Sequence, residues 1–133
     1  MNVPYRGGCL CGAVRYEISA PPKWTGHCHC SMCRKASGAP LVTWITVPAS
    51  AFRLIAGQLA TYVSSAKAKR QFCPACGAQI TFQYKAKPEA IDIATGGLDD
   101  QASVKPEQHV WSSGQAPYLL LADDLPHRPE PQG

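Results

Sequence analysis

Seven residues of the chain, HCHCSMC at positions 27–33, carry three cysteines and two histidines. The spacing of Cys28, Cys30 and Cys33 lets three thiolates fold around one face of a metal ion. Structural zinc sites are closed by four protein ligands, whereas catalytic zinc sites keep one position for water or substrate. Because no fourth cysteine lies in this stretch, the spacing predicts a zinc ion with an open position. Such a thiolate-rich site is soft and suits a sulfur-containing ligand.

The histidines of the same stretch leave several roles open. If Cys28 and Cys30 both point to the metal, His29 points away from it and can orient a ligand or carry a proton. Alternatively, His27 and His29 are hydrogen-bonded surface residues, or one of them closes the site, which would then be structural. The two basic residues that follow either contact thiolates or a substrate carboxylate or lie on a solvated face: Arg34 and Lys35.

The remaining four cysteines form two pairs, each followed at once by a glycine: Cys9, Cys11, Cys73 and Cys76. In a metal-binding turn, glycine after the second ligand lets the chain reverse without a Cβ clash. Two such turns facing each other supply four thiolates at tetrahedral zinc distances. The pattern predicts one closed structural site that ties the N-terminal strand to the middle of the sheet. Either pair alone would also fit a redox pair or two buried thiols.

Composition limits the classes of protein that the chain can represent. Its 133 residues suit one domain, and seven cysteines, an odd number, argue against a complete set of disulfides. No segment approaches the ~20 apolar residues of a membrane span, and MNVPYRGG lacks the apolar core of a secretory signal. We therefore expect a reducing cytoplasm, where clustered cysteines bind metal or do chemistry.

The formal charge of +4 is weak evidence for an anionic partner. Seven thiolates on two zinc ions would lower it to about +1. The basic residues are scattered apart from KAKR at 67–70, and no dense basic stripe with interleaved aromatics is present. We therefore expect no nucleic-acid partner.

Short alternating or β-branched segments separated by glycine and proline predict an all-β fold with little helix. The segments read as strands are 13–19, 24–28, 41–47, 53–56, 59–64, 78–84, 90–95 and 108–111. Gly57 between two of them suggests a hairpin. Residues 31–37 suit one or two helical turns with Ser31 as the N-cap. We expect a single zinc-binding domain over residues 4–125 and a loosely held, proline-rich tail over 126–133.

Three segments together resemble the glutathione-dependent formaldehyde-activating enzyme family, also called the centromere-protein-V-like family: GGCLCGAVRY at 7–16, CHCSMCRKASGA at 28–39 and FCPACGAQI at 72–80. Weaker similarity continues through GGLDD at 96–100 and HVW at 109–111. The resemblance implies a β-tent of coiled antiparallel sheets with a zinc-ribbon-like structural site. It also implies a structural zinc on Cys9, Cys11, Cys73 and Cys76 and a second zinc on Cys28, Cys30 and Cys33, where the founding enzymes handle glutathione and formaldehyde.

The leading hypothesis is therefore a zinc-dependent carbon–sulfur lyase that acts on a small thiol or aldehyde adduct, with glutathione as one candidate. Nearby residues that would position a substrate are His29, Ser31, Lys35, Ser37 and Trp44, although capping, turn or core roles fit them equally. A second hypothesis is an adaptor module without turnover, which a buried fourth protein ligand at the second zinc would favour. A third is a redox or metal sensor that releases zinc on oxidation. The sequence does not predict an oligomeric state.

Overall fold

Short strands are the main regular elements of the computed structural model, which describes residues 3–130. In chain order the elements are β1 (Tyr5–Gly8), β2 (Arg15–Ile18), β3 (Trp24–Cys28), α1 (Ser31–Ser37), β4 (Val42–Pro48), β5 (Phe52–Ala56), β6 (Ala60–Ser65), β7 (Ala68–Phe72), β8 (Gln79–Tyr84), β9 (Ala90–Ala94) and β10 (His109–Val110). Single 3₁₀ turns lie between some of them. The all-β prediction and the short helix are confirmed.

The strands form two sheets. The smaller sheet has the order β1-β2-β5, and the larger has the order β10-β3-β4-β9-β8-β7-β6. Neighbouring strands pair antiparallel, except that β10 runs parallel to β3. Within residues 3–130, no helix is long and apolar enough to cross a membrane.

The hairpin predicted around Gly57 does not form. Strand β5 pairs with β2 in the small sheet, whereas β6 pairs with β7 in the large one. Gly57 has a φ of +80°, and a Cβ there would lie 2.3 Å from the carbonyl oxygen of Ala13. The glycine therefore lets the chain turn closely past β2 and cross from one sheet to the other. Strands β1 and β7 have no alternating pattern long enough to be predicted.

The main core lies between the two sheets. Tyr5, Tyr16 and Ile18 of the small sheet pack against large-sheet residues that are all less than a tenth exposed: Ile45, Val47, Ile80, Ile91 and Ile93. Complete burial of an aliphatic side chain of this size stabilises the fold by about 1.5–3 kcal/mol. This apolar layer covers one face of the large sheet, and the other face is not part of it.

The opposite face of the large sheet carries the side chains around Cys28. In-register partners of antiparallel strands point to the same face. The partners run across the sheet from Cys28 to Val42, from Trp44 to Ala94, from Asp92 to Phe82 and from Phe82 to Arg70. Register thus brings residues from five strands onto one surface.

The helix α1 covers the predicted residues, Ser31–Ser37, but its capping residue differs from the predicted one. Cys30, and not Ser31, is the N-cap, and its Sγ accepts a hydrogen bond from the backbone N–H of Cys33 at 3.3 Å. The Cys30 sulfur, placed at the start of the helix, accepts this N–H, which has no partner within the helix. Gly38 ends the helix with a φ of +77°. The helix is thereby fixed at one end of the Cys28 face.

The beginning of the proline-rich tail is held to the sheet instead of lying loosely. The backbone N–H of His109 donates to the carbonyl of Pro126 at 2.8 Å, and Arg128 N–H donates back to the carbonyl of His109 at 2.8 Å. The backbone of the tail thereby supplies hydrogen-bond partners for the N–H and C=O groups at the outer edge of β10. Residues 131–133 of the tail lie outside the described residues.

Candidate metal centres

The four-cysteine group is built from two turns of similar design. Cys9 and Cys11 lie between β1 and β2, and Cys73 and Cys76 lie between β7 and β8. Backbone N–H groups donate to the sulfurs, from Val14 to Cys9 at 3.2 Å and from Cys76 to Cys73 at 3.5 Å. Gly12 and Gly77 have φ values of +83° and +79°, as the spacing predicts. The group joins the small sheet to the large one.

The sulfur positions of this group fit a tetrahedral zinc ion. All four Sγ atoms lie within 4.8 Å of one another, with 3.6 Å between Cys9 and Cys11 and 3.9 Å between Cys11 and Cys73. Tetrahedral zinc with bonds of about 2.3 Å to sulfur requires sulfur–sulfur distances of about 3.8 Å. The N–H of Val14 lowers the pKa of Cys9 to about 6, which favours its thiolate.

The three-cysteine group lies where β3 passes into α1. Cys28 ends the strand, Cys30 caps the helix and Cys33 occupies its first turn, and their Sγ atoms lie within 4.8 Å of one another. Cys28 and Cys33 are both 6% exposed. In the described part of the chain, no fourth Cys, His, Asp or Glu joins this group. The arrangement can therefore hold a soft metal ion with three protein ligands.

Crowding of three sulfurs perturbs their ionisation. The pKa of Cys30 falls to about 2, because its sulfur accepts hydrogen bonds from Cys28 and then from Cys33. The same contacts raise the pKa of Cys28, whose thiol acts as a donor. Three thiolates can share so small a volume only when positive charge compensates them, and a divalent ion supplies such charge. Both cysteine groups thus fit zinc by their donors and spacing.

Arg70 supplies fixed positive charge beside the three-cysteine group. Its Nη2 lies 3.6 Å from the Sγ of Cys33, its Nη1 donates to Gln79 Oε1 at 3.0 Å, and its guanidinium lies 4.8 Å from the ring centre of Phe82. The residue is only 6% exposed. This role of Arg70 was not among the sequence predictions. The signal was KAKR, in which strand alternation places Arg70 on the same face as Ala68.

His29 turns away from the metal group, as the alternation of ligands predicts. It is completely buried, and its Nε2 lies 2.8 Å from Nδ1 of His109. His109 contacts both carboxylate oxygens of Asp123 through Nε2, at 3.1 and 3.0 Å. Burial lowers the pKa of His29 to about 4, which keeps it neutral. A neutral histidine held this way positions the backbone between Cys28 and Cys30.

His27 also lies on the side away from the cleft. Its Nδ1 is 2.8 Å from Thr43 Oγ1, and its ring stacks on that of His109 with centres 4.8 Å apart. Burial, together with repulsion from His109, lowers the pKa of His27. Neither histidine closes the three-cysteine group.

A cleft of about 1290 Å³ opens over the three-cysteine group. Trp24, Trp44 and Phe82 form apolar parts of its wall. Among the described residues, Asp92 is the one acidic residue of the lining. The basic residues of the lining are more numerous: Arg34, Lys67, Arg70, Lys85 and Lys87. The cleft therefore favours a small ligand that carries both apolar and anionic parts.

The residues predicted to position a substrate fall into two sets. Ser31 and Trp44 line the cleft, as does Arg34. Ser37 instead donates to the carbonyl of Cys33 at 2.8 Å and accepts from the N–H of Ala39 at 3.0 Å, which finishes the helix. Lys35 is exposed to solvent on α1. The structure thus places Ser37 in a capping role and Lys35 on a solvated face.

Comparison with known proteins agrees with this geometry. The model of the glutathione-dependent formaldehyde-activating enzyme family matches residues 4–114. The chain belongs to this family. The predicted resemblance is thereby confirmed.

Two curated proteins that are similar to this chain have names that refer to an enzyme activity. A Schizosaccharomyces pombe protein named "Uncharacterized lyase" is 30% identical over 82 residues, which cover 60% of this chain and 58% of that protein. The chain thus matches less than two thirds of that relative's length. A Halomonas elongata protein named "Putative glutathione-dependent formaldehyde-activating enzyme" is 28% identical over 111 residues, covering 77% and 70% of the two chains.

A solved structure shares the fold of this family member. The crystal structure of a Rhodobacter sphaeroides protein from a structural genomics project superposes with a TM-score of 0.62 at 27% identity. The match covers 92% of this chain and 98% of that one. The likeness therefore extends over nearly the whole length of both chains.

Proposed function

We propose that this protein is a zinc-dependent enzyme of the carbon–sulfur lyase type that makes or breaks the bond between a thiol sulfur and a carbonyl carbon. S-hydroxymethylglutathione, or a related small adduct, is the proposed substrate. The observation that carries the proposal is the difference between the two cysteine groups. One has four ligands and joins the sheets, whereas Cys28, Cys30 and Cys33 offer three ligands at a cleft.

The lining of the cleft supports a thiol that carries carboxylates. Glutathione has two carboxylates and one thiol, and the five basic residues of the lining suit its charge. Arg70 is already engaged with Cys33 and Gln79, which leaves the exposed Lys67 and Lys85 at the rim for a substrate carboxylate. Electrostatic attraction of this kind raises the rate at which an anionic ligand associates.

A zinc ion held by Cys28, Cys30 and Cys33 would supply Lewis acidity that lowers the pKa of a thiol or polarises a carbonyl. In the adduct-forming direction, the thiol sulfur bonds to the carbonyl carbon, and the thiol proton ends on the former carbonyl oxygen. In the reverse direction, the carbon–sulfur bond breaks and the hydroxyl proton returns to sulfur. No oxidant or reductant is needed in either direction.

The chain's own residues orient the reactants and limit water. Trp24, Trp44 and Phe82 cover the floor of the cleft beside the sulfurs, which lowers the local dielectric constant and strengthens nearby charge interactions. Arg70, fixed by Gln79 and Phe82, holds its charge beside Cys33 and balances the sulfurs. Ser31 lines the cleft at the exposed start of α1, and its hydroxyl is the proposed contact for the adduct oxygen.

An adaptor without turnover is the weaker proposal. It calls for a protein ligand that completes the three-cysteine group. Within residues 3–130 no additional Cys, His, Asp or Glu reaches that group. A cleft that reaches the three cysteines is instead what a substrate-binding site requires.

The test is the loss of free formaldehyde in the presence and absence of glutathione, with zinc-loaded protein and with Cys30→Ser. We expect glutathione-dependent acceleration by the native chain above the spontaneous reaction and none by Cys30→Ser. Zinc analysis serves as the control, because Cys30→Ser should lose one zinc and keep the zinc of the four-cysteine group. Equal rates for both proteins would contradict the proposal. Uncharged 2-mercaptoethanol in place of glutathione tests whether the cleft selects an anionic thiol.

A further inference from the structure

We propose that His27, His109 and Asp123 form a third cation site, for a divalent transition-metal ion such as Zn²⁺. The site lies on the opposite face of the large sheet from the cleft. It is separate from both cysteine groups, and it does not depend on the proposed enzyme function.

Strand register brings the histidines together. His109 of β10 pairs directly with His27 of β3, and His127 pairs with His109 from the other side. All of these pairings are parallel, so the three side chains point to the same face. Their rings stack, with centres 4.8 Å apart for His27 and His109 and 4.4 Å apart for His109 and His127. A row of imidazoles therefore crosses this edge of the sheet.

Asp123 and two of these histidines, His27 and His109, together form a possible set of metal ligands. One ligand atom from each of His27, His109 and Asp123 lies within 4.8 Å of the others. His109 Nε2 is 3.0 Å from Asp123 Oδ2, close to the ~3.3 Å separation of ligand atoms around tetrahedral zinc. The ligand atom of His27 lies within 4.8 Å of the other two, so His27 must approach them by at most about 1.5 Å to complete that spacing. This shift is small for the half-buried His27 and the exposed Asp123.

The second ring nitrogens are already held as metal-binding histidines require. Nδ1 of His27 contacts Thr43, which leaves its Nε2 for a metal, and Nδ1 of His109 contacts His29 at 2.8 Å. The backbone N–H of Leu125 donates to Asp123 Oδ1 at 3.1 Å. Outer partners of this kind fix the ring orientation and strengthen metal binding. His109 and His29 can each move a proton between Nε2 and Nδ1, so neither needs to become charged.

The donor set distinguishes this site from the cysteine groups. Two imidazoles and one carboxylate suit Zn²⁺, Ni²⁺ or Cu²⁺, whereas thiolate clusters select softer ions. The side chain of Asp123 is 34% exposed, which gives an ion a path from solvent and leaves room for water as a further ligand. A bound ion would connect the 123–128 segment to β3 and β10.

The experiment is equilibrium dialysis of the reduced, untagged full chain against micromolar free Zn²⁺, followed by elemental analysis. We expect three zinc ions per chain, and two for His27→Ala and for Asp123→Asn. Asp124→Asn, which changes the neighbouring exposed carboxylate, should keep three. Affinity for the third ion should fall at least about 10-fold in the two site variants.

Asp123→Asn keeps the test valid if His27→Ala fails to fold, because Asp123 lies at the surface. A native chain that binds only two zinc ions would overturn the proposal. A third zinc that survives both site variants, or that is lost equally in Asp124→Asn, would overturn it as well.

Discussion

Nε2 of His29 lies 2.8 Å from Nδ1 of His109, and this contact connects the segment between two cysteine ligands to a strand eighty residues away. Both histidines are completely buried. With Nε2–H of His109 donating to Asp123, Nδ1 of His109 accepts from His29. The exposed carboxylate of Asp123 thus sets the tautomer of the buried His109, and through it that of His29 beside the three-cysteine group.

The first prediction concerns this pair. His109→Leu should destabilise the fold by about 1–3 kcal/mol, because it leaves His29 buried without a partner. The double variant His29→Leu/His109→Leu should cost less than the sum of the two single variants, since both polar groups are then removed. Chemical denaturation at fixed free zinc measures this coupling. Additive effects would show that the hydrogen bond has no energetic role.

The second prediction separates the two cysteine groups by stability. Cys73→Ala should reduce the free energy of unfolding by on the order of 5 kcal/mol, because the four-cysteine group joins the two sheets and its zinc affinity is folding free energy. Cys33→Ala should cost less, since the three-cysteine group joins only residues 28–33. Urea unfolding of both variants at equal free zinc makes the comparison. The reverse order would reverse the roles assigned to the groups.

The third prediction concerns the buried guanidinium. Arg70→Met should weaken zinc binding at the three-cysteine group about 10–100-fold, because the positive charge beside Cys33 is lost. Lys69→Met is the matched control, since Lys69 precedes Arg70 on the same strand and points to the other face. Competition with a chromophoric chelator measures the affinities. Similar losses in both variants would show that general charge, and not the Arg70 contact, supports the site.

The fourth prediction concerns pH. Burial raises the pKa of Asp92 to about 6, despite a hydrogen bond from Thr46. The folded chain therefore binds a proton that the unfolded chain releases between pH 4 and 6. This contribution stabilises the fold at low pH and is lost as pH rises through about 6.

Asp92→Asn removes that dependence. Relative to the native chain, the variant should gain about 1–2 kcal/mol between pH 5 and pH 8, with allowance for partial solvent screening. The difference between the two proteins cancels any shared loss of zinc at low pH. If the free energies of unfolding of the two proteins differ by the same amount at every pH in this range, a raised pKa for Asp92 is contradicted.

Local signals explain which parts of the fold the sequence predicts. The predicted strands at 13–19 and 78–84 rest on alternation of apolar and polar residues, and strands are found there as expected. The cysteine turns carry their own glycine signals. Strand β1 contains two glycines, and β7 is rich in basic residues, so neither has the apolar periodicity that identifies a strand. The false hairpin at Gly57 arises because a turn signal does not show which sheet the next strand joins.

The side-chain contacts that the sequence does not predict at the sites join residues that are far apart in the chain. Arg70 reaches Cys33 although β7 is the fourth strand from β3 in the large sheet, because the Arg70 side chain extends across the face that these strands share. His109 and Asp123 meet His29 through a parallel pairing of β10 that no local pattern announces. The Cys30 cap was missed because serine is the commoner capping residue, whereas here the adjacent sulfur accepts the bond.

The most direct test of how the seven cysteines divide is ¹¹³Cd NMR of cadmium-substituted protein, because the chemical shift of cadmium reports the number of its sulfur ligands. Two separate cysteine groups should give two resonances in the sulfur-rich region. The more deshielded one, from four sulfurs, should disappear in Cys73→Ser, and the other, from three sulfurs, should disappear in Cys33→Ser. A single sulfur-rich resonance, or the loss of both resonances in either variant, would contradict the division of seven cysteines into four and three.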